Sequence, residues 1–133
     1  MNMKHFHTIL FTMVAIIFFS ACTKEDFYYV KYDANVVLND GEELGIDYKT
    51  ADGKIEHYVT TSENPFSVTI GPVSKGFVAY MDAVIRNHEL DAKTGGLYVW
   101  ISVSKNNGQF GMVKQVGGQL VIDTNRVEYT VGE

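Results

Sequence analysis

"YYVKYDANVVL", Tyr28 to Leu38, puts Tyr28, Val30, Tyr32, Ala34, Val36 and Leu38 at every second position, with Lys31, Asp33 and Asn35 between them. Successive side chains of a strand point to opposite faces, whereas a helix face recurs every three or four residues. An apolar side and a polar side alternating with period two therefore describe a half-buried strand. Asp40-Gly41 follows as a turn signal.

The same period continues downstream. "LGIDYKT" sets Leu44, Ile46 and Tyr48 against Asp47 and Lys49, and "ADGK" then offers Asp52-Gly53, a pair suited to tight hairpins because both residues tolerate positive φ. "IEHYVTT", from Ile55, returns as the partner strand. Asn64-Pro65 marks a break before Phe66, Val68 and Ile70 resume the alternation. Gly71-Pro72 and Lys75-Gly76 frame a bend, after which Phe77, Ala79, Met81, Ala83 and Ile85 share one side. Residues 86 to 96, "RNHELDAKTGG", lack the pattern and form the longest loop. In "LYVWISVS", Leu97, Val99, Ile101 and Val103 oppose Tyr98, Trp100, Ser102 and Ser104; "KNNG" is another hairpin turn. "QFGMVKQV", "QLVID" and "VEYTV" supply the last strands, interrupted by Gly117-Gly118 and Thr124-Asn125.

No window carries apolar residues at helical spacing over a useful length. Seven to eight short strands, with turn signals about every ten residues, predict an all-β domain: an antiparallel β-sandwich of immunoglobulin-like type. The absence of a Cys-Trp-Cys pattern excludes an antibody-type domain proper while leaving the architecture intact.

The N-terminus has a different character. "MNMKHFH" is a short polar opening with Lys4 as its fixed charge, and Ile9 to Phe19 is an almost unbroken apolar run ended by Ser20 and Ala21. That order is a secretory signal peptide, and the run is shorter than the roughly 20 residues of a membrane span. "FSAC", Phe19 to Cys22, resembles the lipobox of bacterial lipoproteins, with Phe19 where Leu is commonest. The resemblance implies that Cys22 becomes the first mature residue and carries the lipid. A lone cysteine in an exported chain has no intramolecular disulfide partner, so an acylated Cys22 accounts for it. "CTKED", Cys22 to Asp26, resembles the Cys-x-Lys-acidic-acidic signal that sends Bacteroidetes lipoproteins to the outer face of the outer membrane. The expected organisation is a signal peptide over 1–21, a lipidated cysteine and short tether over 22–26, and a β-sandwich domain over 27–133. The expected location is the outer membrane of a bacterium, lipid-anchored and exposed at the cell surface.

After the signal peptide the chain has ten basic against sixteen acidic residues, a formal balance of −6. Phosphate recognition depends on clustered Lys and Arg, so nucleic acid is not an expected partner. The segments "VKYDANV", "IDYKTADGKIEH", "NPFSVTIGPVSKGFVAYMDAV" and "LYVWISVSKNNGQFGMVKQ" resemble the small β-sandwich lipoproteins of Bacteroidetes. They are more distantly similar to the MmpS-type accessory proteins of mycobacterial membrane transporters. The resemblance spans most of residues 28 to 116 and implies one sandwich domain outside a membrane. It supplies no functional residues.

Little in the chain points to catalysis. His57 and His88 are separated by thirty-one residues, too little convergence for a metal site, and there is no Gly-x-Ser-x-Gly elbow. The acidic turns Asp40-Gly41-Glu42-Glu43 and Asp52-Gly53 lack the spacing of a calcium loop. No enzyme activity, metal or cofactor is expected. The aromatic residues are more informative. Tyr98 and Trp100 face away from the aliphatic side of their strand, and Tyr58 and Tyr80 fall opposite the more aliphatic sides of theirs. If one sheet holds all four, they form a flat patch for stacking sugar rings or docking a partner. The expected function is therefore a non-catalytic binding or accessory lipoprotein, with an envelope protein or a glycan as partner; the alternative is a carbohydrate-binding module using Trp100, Tyr98, Tyr80 and Tyr58.

Overall fold

The alternating stretch at Tyr28 becomes a strand flanked on both sides. Among the residues that the computed structural model describes, 24–61, 65–87, 96–118 and 124–133, there are eight strands and no helix. They are β1 (Tyr28–Val36), β2 (Glu43–Lys49), β3 (Ile55–Thr60), β4 (Phe66–Val73), β5 (Val78–Arg86), β6 (Leu97–Lys105), β7 (Gly111–Gly118) and β8 (Thr124–Thr130). All pairings are antiparallel, in two four-stranded sheets of order β4-β1-β6-β7 and β3-β2-β5-β8. The molecule is a β-sandwich. The segment expected to be a signal peptide, Cys22, the loop residue His88 and "QLVID" lie outside the described residues.

The core is made of the alternate positions of both inner faces. Val30, Tyr32 and Ala34 of β1 meet Val103, Ile101 and Val99 of β6 in register, and Leu44 and Ile46 of β2 meet Ile85 and Ala83 of β5. Burial of these side chains is the main favourable term, at about 25 cal/mol per Å² of apolar surface. Tyr32 adds a directional tie. Its hydroxyl donates to the Lys49 carbonyl at 2.8 Å and accepts from the Tyr80 backbone N–H at 3.2 Å, linking β1 to the opposite sheet. Burial pushes this phenol up to about 12.

The two lateral sides of the sandwich close differently. On one, β8 lies against β6 and β7, and the buried Asn125 donates from Nδ2 to the Leu97 carbonyl at 2.9 Å. On the other, rings bridge the sheets in a chain: Tyr32 to Tyr48 at 5.7 Å, Tyr48 to Phe66 at 5.7 Å, and Phe66 to Tyr58 at 5.1 Å.

Both hairpins use the expected chemistry. Gly53, at φ 87°, donates to the Thr50 carbonyl at 3.0 Å, and Thr50 N–H donates to the Lys54 carbonyl at 2.8 Å. Asn106 and Asn107 take φ of 51° and 60°, which a two-residue turn of this hand requires. Three expectations need correction. Thr124-Asn125 does not interrupt the strands but opens β8, paired to Val84 and Ala83 of β5. Gly71-Pro72 does not bend the chain away but lies inside β4, beside an irregularity in its pairing with β1, where a Cβ on Gly71 would stand 2.8 Å from the Tyr29 ring. Gly117-Gly118 closes β7 itself. A Cβ on Gly117 would lie 2.2 Å from the Leu97 carbonyl oxygen, so glycine lets the two backbones approach.

Candidate functional site

Register decides which outward side chains share a surface. On the outer face of the β4-β1-β6-β7 sheet, Trp100 stands across from Asp33 of β1 and Gln115 of β7, and Asp33 in turn faces Ser67 of β4. The next row holds Thr69, Lys31, Ser102 and Met112. Tyr98 lies between Asn35 and Gly117, and Tyr29 lies beside Ser104. Beyond β6 the turn folds back, so that Ser104 Oγ donates to the Gly108 carbonyl at 2.6 Å and the Phe110 ring sits 5.5 Å from Lys31 Nζ. A hollow of about 270 Å³ lined by Tyr29, Thr69, Ser104, Asn107, Gly108 and Phe110 opens there.

Asp33 is the unusual member of this face. Its side chain is only 10 % exposed although it points away from the core, and its Oδ2 atom is buried without a hydrogen-bond partner. Lys31 Nζ stands 3.9 Å from that oxygen, beyond hydrogen-bonding distance, with its ammonium turned toward the Phe110 ring. A buried acceptor left unmade costs free energy, so it marks a place where a donor would be stabilising. Periodicity shows Asp33 as outward but cannot show it as buried, because its cover comes from neighbours supplied by register.

The four aromatic candidates do not form one patch. Tyr98 and Trp100 share the outer face of one sheet. Tyr80 sits on the outer face of the other, where the Arg126 guanidinium lies 5.3 Å from its ring and its hydroxyl donates to Asp82 Oδ2 at 3.3 Å. Burial, then the Asp82 charge, raises the Tyr80 phenol above its ordinary value. Tyr58 is opposite Ile46 in register, so it takes the inner side of β3, still 44 % exposed, with its ring tilted by 40° against that of Phe66. Ile55 and Val59, opposite Lys49 and Gly45, take the outer side. The reason is that β3 has a partner strand on one edge and little cover on either face, so its apolar positions do not report which side is buried.

His57 belongs to a charged row across the second sheet. His57, Asp47, Asp82 and Arg126 follow one another in register on β3, β2, β5 and β8. The outer side chains engage the inner acids: His57 Nδ1 lies 2.5 Å from Asp47 Oδ1, and Arg126 Nη2 donates to Asp82 Oδ2 at 2.9 Å. Facing carboxylates repel, and the Arg126 guanidinium on Asp82 offsets that repulsion. Among the described residues, no group of three or more His, Cys, Asp or Glu could hold a metal ion. The acidic turn is a brace. Glu42 is buried and its carboxylate accepts from the Asn39 N–H at 2.8 Å and from Asn39 Nδ2 at 3.0 Å.

The start of the domain is fixed to the β6–β7 turn. Asp26 accepts from Lys105 Nζ and Asn106 Nδ2, each at 2.8 Å. Phe27 N–H donates to Asn106 Oδ1 at 3.1 Å, and Asn106 N–H donates to the Phe27 carbonyl at 2.9 Å. The Lys105 and then the Asn106 hydrogen bond hold the Asp26 carboxyl below its usual range. No family model, curated protein or solved structure matches this chain.

Proposed function

We propose that this protein is a non-catalytic lipoprotein of the outer membrane, anchored through acylated Cys22 and displaying its sandwich at the cell surface as a binding or accessory domain. The observation that carries the proposal is the sequence around Cys22: an apolar run, Ser20-Ala21-Cys22, then Thr23-Lys24-Glu25-Asp26. The clamp at Asp26 and Phe27 supports it physically. Asp26 is four residue steps from Cys22, at most about 14 Å of extended chain, so a lipid on Cys22 tethers the β6–β7 end of the sandwich against the bilayer. A multiply acylated cysteine gives a lasting anchor where one chain gives a marginal one. Such a tether leaves the outer faces of both sheets open sideways to soluble or envelope-bound partners.

The absence of a catalytic role is part of the same proposal. His57, the one described histidine, has its Nδ1 engaged by Asp47 on an open sheet surface, an arrangement that stiffens cross-strand pairing. The test is metabolic labelling with an alkyne fatty acid in a Bacteroidetes host, followed by protease shaving of intact cells. Label on the wild-type chain but not on Cys22→Ser, with loss of the domain on shaving, is the expected result. Label that survives Cys22→Ser overturns the anchor, and a domain that resists shaving until the outer membrane is breached overturns surface display.

A further inference from the structure

We propose that the outer face of the β4-β1-β6-β7 sheet binds a neutral polysaccharide, with Trp100 as the stacking ring and Asp33 as the buried acceptor of a sugar hydroxyl. The inference deepens the binding role proposed above and rests on it. Three observations converge. Asp33 is nine-tenths covered at the side chain and its Oδ2 has no hydrogen-bond partner, and Trp100 is its direct cross-strand neighbour. Around them lie the hydroxyl and amide side chains of Ser67, Thr69, Ser102 and Gln115, with the apolar Met112 at the end of the second row. The charge in these rows is one Lys31 and one Asp33, which offset each other.

That composition selects the ligand class. A phosphate or sulfated chain needs a surplus of cations, which these rows lack. A purely apolar partner would bury Asp33, Lys31 and the hydroxyls without partners, at a cost. A sugar ring presents an apolar C–H face to an aromatic side chain and hydroxyl donors at its rim, which meets both requirements. Lys31 is the movable element: long, flexible, and held over Phe110 at 5.5 Å while its ammonium stands 3.9 Å from Asp33 Oδ2. A sugar hydroxyl reaches the covered oxygen by displacing the side chains over it, and the Lys31 ammonium beside it can donate to the same ligand. The adjoining hollow at Phe110 and Tyr29 gives room for a second residue of the glycan.

Trp100 is the only tryptophan, so its fluorescence reports the site without a label. The full chain in detergent micelles is titrated with yeast mannan, laminarin, dextran and larch arabinogalactan, with chondroitin sulfate as the anionic comparison. At least one neutral glycan is expected to shift the emission to the blue, with affinity reduced tenfold or more in Asp33→Asn and Trp100→Ala, and largely retained in Trp100→Phe. Binding to the Trp100 variants is read by isothermal calorimetry, since they lack the fluorophore. Circular dichroism of each variant separates lost binding from lost folding. The proposal is overturned if none of the neutral glycans moves the emission, if chondroitin sulfate alone does, or if a folded Asp33→Asn binds as wild type. Fatty-acid labelling at Cys22 on the same preparation keeps the two proposals apart, since a labelled, surface-displayed protein that ignores every glycan sinks only this one.

Discussion

Tyr32 concentrates much of the sandwich's specificity in one hydroxyl. The ring is fully buried, and its oxygen serves the Lys49 carbonyl on β2 and the Tyr80 N–H on β5 at once. Tyr32→Phe keeps the packing and leaves both backbone groups short of a partner, so a loss of about 1 to 3 kcal/mol is expected, read as a lower urea midpoint with an unchanged slope. The same burial sets an alkaline limit. The folded phenol ionises near 12 and an unfolded tyrosine near 10, so the native state holds the extra proton between those values. Its contribution is complete below about pH 10 and falls as pH rises toward 12, a slope that Tyr32→Phe removes. Two glycines give a sharper contrast at this scale. Gly53 at φ 87° has nothing within 4 Å of the place a methyl group would take, so Gly53→Ala costs only its backbone strain, about 1 to 2 kcal/mol. Gly117→Ala adds a collision with the Leu97 carbonyl, which only strand separation relieves, and chemical denaturation should rank it clearly below Gly53→Ala.

At the scale of elements, the clamp between the N-terminal segment and the β6–β7 turn is electrostatic and therefore sensitive to acid. The Lys105 hydrogen bond depresses the Asp26 carboxyl, so its contribution is present above the unfolded value near 4 and is lost as pH falls through the lower folded value. Hydrogen exchange of the Phe27 and Asn106 amides, corrected for intrinsic rates, should speed up below about pH 4 relative to the Tyr32 amide. Asp26→Asn should show no such step. The strands themselves differ in how far alternation reveals them. β1, β2, β5 and β6 are legible because each lies between two strands and buries one face, which enforces a clean period of two. β3 and β7 are edge strands exposed along most of their length, so their patterns carry no burial signal, and alternation alone puts Ile55 and Val59 inside and Tyr58 outside, the reverse of their true sides. Trp100 and Tyr98 are legible as outward residues of β6. The cover over Asp33 and the separation of Tyr80 and Tyr58 from Trp100 are not, because pairing partners distant in the chain decide cover and sheet membership.

For the whole molecule, the unequal closure of its two sides sets the route by which it opens. The side at β8 combines strand packing with the Asn125 to Leu97 hydrogen bond, which an opening motion must break inside a buried setting. The side between β3 and β4 is held through rings, and Phe66 is the joint between Tyr48 on one strand and Tyr58 on another. Phe66 is only partly buried, so Phe66→Ala should cost about 2 to 3 kcal/mol, at the low end for removal of an aromatic side chain. The consequence is also directional. With that joint gone, β3 retains its pairing to β2 alone and should exchange its amides through local opening, well before global unfolding. The β6 and β8 amides around Leu97 and Asn125 should continue to exchange only with the whole domain. Site-resolved exchange on wild type and Phe66→Ala therefore checks the mechanism as well as the magnitude, and an equal loss of protection in β3 and β8 would show that the two sides open together.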